Sequence, residues 1–158
     1  MENDIISKDY WEESMSTKNH MRIEFDSKSE NESFIRTVIA AFLIGVNPTM
    51  EELSDIKTAV SEAVTNCIIH GYEGKEGIIV VEASLIENEL TITIQDFGVG
   101  ITDIGQAMEP LYTSKPEMER SGMGFSFMEA FMDHVYVTST PGEGTMIKMK
   151  KEIGRHAR

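Results

Sequence analysis

Apolar positions along this chain recur with two different periods, and the places where the period changes mark the elements. In HMRIEF the apolar residues alternate, with Met21, Ile23 and Phe25 on one side, which predicts a strand. SENE, Ser29 to Glu32, reads as a capping box, and Phe34, Ile35, Val38, Ala41 and Phe42 follow at helical spacing. Gly45 is expected to close that helix, with Asn47-Pro48 as the turn. TMEE, Thr49 to Glu52, is a second capping box, opening a long helix that runs to His70 and stops at Gly71. GIIVVEASLI and LTITIQD predict two strands joined as a hairpin at Glu87-Asn88-Glu89.

Residues 101 to 121 hold two prolines and no clear period, as expected of a functional loop or lid. Helical spacing returns in GFSFMEAFMDH, where Phe125, Met128, Phe131 and Met132 form a stripe that reads as core. VYVTST, the turn PGEG and TMIKMKKEI complete a second hairpin. The order is strand, helix, helix, two strands, loop, helix, two strands. It predicts an α/β (α+β) two-layer sandwich, with helices on one face of a mixed, mostly antiparallel sheet.

Composition narrows the function. At 158 residues the chain is expected to hold one domain, over 20–152, between a loose tail at 1–19 and a short one at 153–158. Twenty-seven acids against fourteen bases give a net charge of -13, which argues against direct nucleic-acid binding. A single cysteine, Cys67, excludes an internal disulfide and fits a small core residue. No apolar run has the length of a membrane span, and the acidic start does not read as a signal peptide, so a cytoplasmic protein is expected.

Four short stretches could carry chemistry. On the long helix Ile56, Val60, Ala63, Val64 and Cys67 share one side, while Glu62 and Asn66 lie one turn apart roughly opposite. A solvated face explains that pair. So does a nucleotide site, where Asn ligates Mg²⁺ and Glu accepts a proton. DFGVG, Asp96 to Gly100, ends a strand with glycines that let the backbone turn sharply, and its Asp could accept an exocyclic amine. SGMGF, Ser121 to Phe125, precedes a helix and could present N–H groups to an anion. GEGT, Gly142 to Thr145, alone reads as a hairpin turn, and no Walker A loop occurs.

Taken in order, the boxes EAVTN, DFGVG, GMG and GT resemble those of the GHKL ATPase superfamily, which implies the Bergerat ATP-binding fold. More narrowly, NESFIR, PTMEELSDIKTAVSEAVTNCIIHGYE, GITD and PLYTSKPEMERSGMGFSFMEAFMD resemble the anti-sigma F family of endospore-forming bacteria, over about Lys18 to Lys151. That resemblance implies an ATP-dependent serine kinase that also sequesters sigma F as a homodimer. Its substrate would be an anti-anti-sigma protein, and its ligands ATP or ADP with Mg²⁺. Residue by residue, it implies Glu62 as general base and Asn66 as the metal ligand. Asp96 would read adenine's amine, with Gly98 and Gly100 clearing space and Thr145 supporting that side. Gly122, Met123 and Gly124 would meet the phosphates, Lys115 and Arg120 would serve as lid cations, and Arg36 would lie on the partner surface.

Two rivals remain at this stage. One is the ATP-binding half of a histidine kinase, which would need a helical segment with a phospho-accepting histidine upstream. The other is an anti-sigma factor for a stress-response sigma, or a non-catalytic ATP-gated clamp.

Overall fold

The structure is a computed structural model that describes residues 18–110 and 124–154. Its strands are β1 (Lys18–Asp26), β2 (Ile78–Ile86), β3 (Glu89–Asp96), β4 (His134–Thr140) and β5 (Gly144–Glu152). They form one sheet in the order β1-β2-β3-β5-β4, and every neighbouring pair is antiparallel. The sheet is therefore purely antiparallel among the described strands rather than mixed. Its helices are α1 (Glu30–Phe42), α2 (Met50–Asn66), the short α3 (Ile104–Ala107) and α4 (Gly124–Phe131).

Strand alternation decides which face is covered. Ile79, Val81, Ala83 and Leu85 of β2, and Leu90, Ile92 and Ile94 of β3, are buried, as are Ile147 and Met149 of β5. The intervening Glu82, Ser84, Thr91, Thr93 and Gln95 are only half-buried. The helices supply the other layer: α2 packs against both α1 and α4, and Ile56, Ala59, Val60, Ala63 and Val64 make its buried stripe. Phe125, Met128 and Met132 are buried as the stripe required, while Phe131 is half-buried and stacks on Phe127.

Local signals failed where tertiary contacts claimed the same side chains. The Ser29 capping box does not form, because Ser29 is helical and its side chain makes no cap hydrogen bond. Its partner Glu32 instead accepts from the Thr65 hydroxyl at 2.6 Å, tying α1 to α2. The buried stripe of α1 runs through Ile35 and Ile39 to Leu43, leaving Phe34 48% exposed. Helix α1 ends at Phe42, a 3₁₀ turn (Ile44–Val46) follows, and Asn47 rather than Gly45 takes the left-handed conformation at φ 50°. At the other end Ile153, expected to open a tail, is 1% exposed and donates its N–H to Asn88. Lys18 and Asn19 likewise already belong to β1.

The Thr49 box does form. Thr49 Oγ1 accepts from Glu52 N at 3.0 Å, and Thr49 N donates to Glu52 Oε1 at 2.9 Å. Glu52 Oε2 also accepts from Gly154 N at 2.8 Å, so one carboxylate anchors both the α2 start and the chain after β5. Thr49→Ala should therefore destabilise the protein by about 1 kcal/mol, as loss of a helix cap does. Urea unfolding should show a lowered midpoint with an unchanged slope.

Candidate nucleotide-binding site

The site is built where the C-terminal end of α2 meets the end of β3. After Asn66 the helix widens into one π turn, Cys67–Gly71, closed by Tyr72 N donating to Cys67 O at 2.9 Å. Such turns concentrate at functional positions. The left-handed stop falls at Glu73 (φ 55°) and Gly74 (φ 78°), not at Gly71. Gly71 is needed for space: a Cβ there would lie 2.6 Å from Asp96 Oδ2. The Gly71 carbonyl accepts from Val99 N at 2.9 Å, and a Cβ on Gly98 would sit 1.9 Å from that carbonyl oxygen. Gly98 therefore lets two backbones touch. Gly100, at φ +76°, does the same against the Thr140 carbonyl, where a Cβ would lie at 2.4 Å. In this structure both glycines of the DFGVG box face protein backbone.

Asp96 is the buried polar centre of this seam, 1% exposed. Its Oδ1 accepts from Gly98 N at 2.9 Å, whereas Oδ2 is buried and makes no hydrogen bond among the described residues. Burial pushes the carboxyl above the usual carboxylate range; the Gly98 N–H, the Cys67 thiol and the Thr145 backbone pull it part of the way back. A raised acid binds protons more readily folded than unfolded. Its contribution to stability is thus lost as pH rises through the folded pKa, and ionised Asp96 is a cost at neutral pH. An orphaned acceptor of this kind is what an incoming N–H donor would satisfy.

Neighbouring strands add the rest of this end. Thr145 on β5 is the register partner of Asp96 on β3, and is 4% exposed. Two residues that sequence reasoning missed complete the frame. Tyr72 donates its hydroxyl to Ile78 O and accepts from Phe97 N at 2.8 Å, so it props the turn that follows Asp96. Ser139 on β4 pairs with Thr145 on β5 and contacts its hydroxyl at 2.8 Å. Counting back across the PGEG turn from Thr145 would have found it. Cys67 is buried, and burial together with the Asp96 charge pushes its thiol well up, so it is an inert packing residue.

Glu62 and Asn66 are both half-buried on α2. Asn66 leads directly into the π turn against Asp96, while Glu62 lies in the wall of an open groove of about 460 Å³. Arg36 lines the same groove and donates to Ser61 Oγ at 2.8 Å. The expected base and the expected partner-surface arginine thus share one groove, although 26 positions separate them in sequence. Gly124 is the first residue of α4. Lys115, Arg120, Gly122 and Met123, with most of the expected lid, lie outside the described residues. Among the described residues no cluster of three or more His, Cys, Asp or Glu could hold a metal, and no helix is long and apolar enough to cross a membrane.

Residues 25–151 match the family described as the histidine kinase-like ATPase domain. The anti-sigma F factor of Caldanaerobacter subterraneus is 56% identical over 142 residues, which is 90% of this chain and 99% of that protein. The anti-sigma F factor of Clostridium kluyveri is 60% identical over 133 residues, 84% of this chain and 94% of that protein. A crystal structure of the RsbU and RsbW domains of a Mycobacterium tuberculosis protein superposes with a TM-score of 0.64 at 21% identity. It covers 89% of this chain and 34% of that one, a likeness of fold.

The seam gives a direct test. Gly98→Ala, whose Cβ meets backbone, should destabilise the protein by about 3 kcal/mol. Gly142→Ala, in the β4–β5 turn at φ +81° with open space around it, should cost only about 1 kcal/mol. Thermal unfolding of the two variants against the parent checks the order.

Proposed function

The chain belongs to the anti-sigma F factor family of the histidine kinase-like ATPases, and from that premise we propose a double function. It holds sigma F away from RNA polymerase, and it phosphorylates a serine of the anti-anti-sigma protein that would otherwise displace sigma F. The family domain carries nucleotide binding; the proposal specifies ATP, with Mg²⁺, in a homodimer whose working domain runs from Lys18 through Ile153.

The observation that carries the kinase half is the shared groove. Arg36 and Glu62 line one groove, which supports presentation of a substrate serine on the side of α2 that carries the proposed base. Phosphoryl transfer needs little covalent chemistry from the protein and depends on such positioning. Bound ATP with Mg²⁺ supplies the phosphoryl group and neutralises its charge. In this reading Glu62 takes the proton from the serine hydroxyl, and Asn66 offers its amide oxygen as a neutral metal ligand, a type Mg²⁺ accepts when phosphates and waters complete the shell.

Asp96 supports the adenine assignment, since its orphaned Oδ2 fits an exocyclic amine. Thr145 stands beside it across the β3–β5 ladder. For the phosphate side, the proposal assigns backbone N–H groups from Gly122 to Gly124, with Lys115 and Arg120 as cations. Gly98 and Gly100 serve by shaping the turn that carries Asp96.

Two substitutions separate the activities. Glu62→Gln should bind ATP and sigma F normally while phosphorylating the anti-anti-sigma protein about 10² to 10⁴ times more slowly. Arg36→Ala should leave ATP affinity intact and weaken capture of both proteins about thirtyfold, the effect of losing an interfacial arginine anchor. Pull-down and labelled-phosphate assays read the crossed pattern. Full kinase activity in Glu62→Gln would remove Glu62 from the mechanism.

A further inference from the structure

Three neighbouring strands place Asp96, Thr145 and Ser139 in one cross-strand row, with Thr145 paired to each of the other two. Ser139 Oγ sits at the end of that row with three partners. Ile101 N donates to it at 2.7 Å, the Gly144 carbonyl lies 3.0 Å away, and Thr145 Oγ1 lies 2.8 Å away.

A hydroxyl has one proton and two lone pairs, which fixes how these contacts are shared. The Ile101 N–H occupies one lone pair. The Gly144 carbonyl can only accept, so the Ser139 proton goes to it. The remaining lone pair faces Thr145, whose own proton must therefore point at Ser139. Reversing the last bond would send the Ser139 proton to Thr145 and leave two oxygens facing each other at 3.0 Å with no hydrogen between them. Thr145 Oγ1 is left with lone pairs alone for the space beside Asp96, whose Oδ2 is an acceptor as well.

We infer that Ser139 is a specificity-determining positioning residue: by taking the Thr145 proton it leaves two acceptors on the base side of the site. The site then selects a purine carrying an amino group at that ring edge over one carrying a carbonyl. An amino group can donate to such an edge, whereas a carbonyl would meet acceptors only and leave buried polar groups unpaired. This rests on the reading above, in which Asp96 and Thr145 face the base. Without Ser139, the Thr145 hydroxyl turns and can donate, so the carbonyl is no longer refused.

Inosine triphosphate carries a carbonyl in place of that amino group, with a proton on the adjacent ring nitrogen, and is the probe. Calorimetric titration of the full chain should show ATP bound more tightly than inosine triphosphate. In Ser139→Ala the ratio of the two dissociation constants should fall by about tenfold. Ser139→Thr, which keeps the hydroxyl, should retain the parent ratio. A purely structural role for Ser139 would weaken both nucleotides alike and leave the ratio unchanged, which overturns the inference; so would a parent chain that binds both equally. Should Ser139→Ala fail to fold, Ser139→Cys, whose sulfur is a weak acceptor, is held to the same criterion. Asp96→Ala is the control for the underlying reading. If it abolishes ATP binding while Ser139→Ala leaves the ratio unchanged, only the Ser139 inference falls. If it binds ATP as the parent does, the base-side reading itself falls.

Discussion

Two backbones touch at Gly71 and Gly98, and the geometry of the site follows from that contact. The Gly71 carbonyl receives the Val99 N–H, and no side-chain atom fits between the helix end and the turn after β3. Close approach at this point brings the π turn of α2 onto Asp96, and β3 brings Asp96 beside Thr145 on β5. The helix that carries Glu62 and Asn66 is thereby held against the strands that carry Asp96 and Thr145. A shift of a few tenths of an ångström here would move both halves of the site together, because packed interiors transmit strain.

The same seam explains why a costly group is retained. Asp96 is buried with one carboxylate oxygen unpaired, so its charge opposes folding at neutral pH. A core built only for stability would replace it. In the proposed reading a ligand's N–H recovers the lost hydrogen bond, which would link nucleotide binding to local stability. Tyr72 and Ser139 hold the backbone that follows Asp96, at Phe97 and Ile101, and need no ligand to do so. In the same proposed reading, preorganisation of this kind would let the base meet a formed pocket wall without having to order one.

Much of the fold could be read in the sequence, and the misses share a cause. Strand alternation and the Thr49–Glu52 box are local signals that no distant residue contests, and they appear as expected. Ser29–Glu32 has the same local form, yet Thr65 takes the Glu32 carboxylate and the box is lost. Gly71 looked like a helix stop because its real constraint, the Asp96 carboxylate, is 25 residues away in sequence. The π turn was invisible for the same reason. Among the candidate site residues, the pairing of Asp96 with Thr145 followed from two strands that could be predicted, whereas the shared groove of Arg36 and Glu62 depends on how α1 packs on α2. Gly98 and Gly100 were expected to clear space for a base, whereas a Cβ at either would meet protein backbone.

The central claim is that Asp96 holds an unpaired acceptor for an incoming N–H donor. Its most direct measurement is the titration of the Asp96 carboxyl carbon by nuclear magnetic resonance, without nucleotide and with saturating ADP. Without nucleotide the midpoint should lie above the ordinary value of 3.8. With ADP bound it should move down, because a donor on Oδ2 favours the charged form. A midpoint that is the same in both titrations would mean that nothing in the nucleotide reaches this carboxylate, and the account of the site would be wrong.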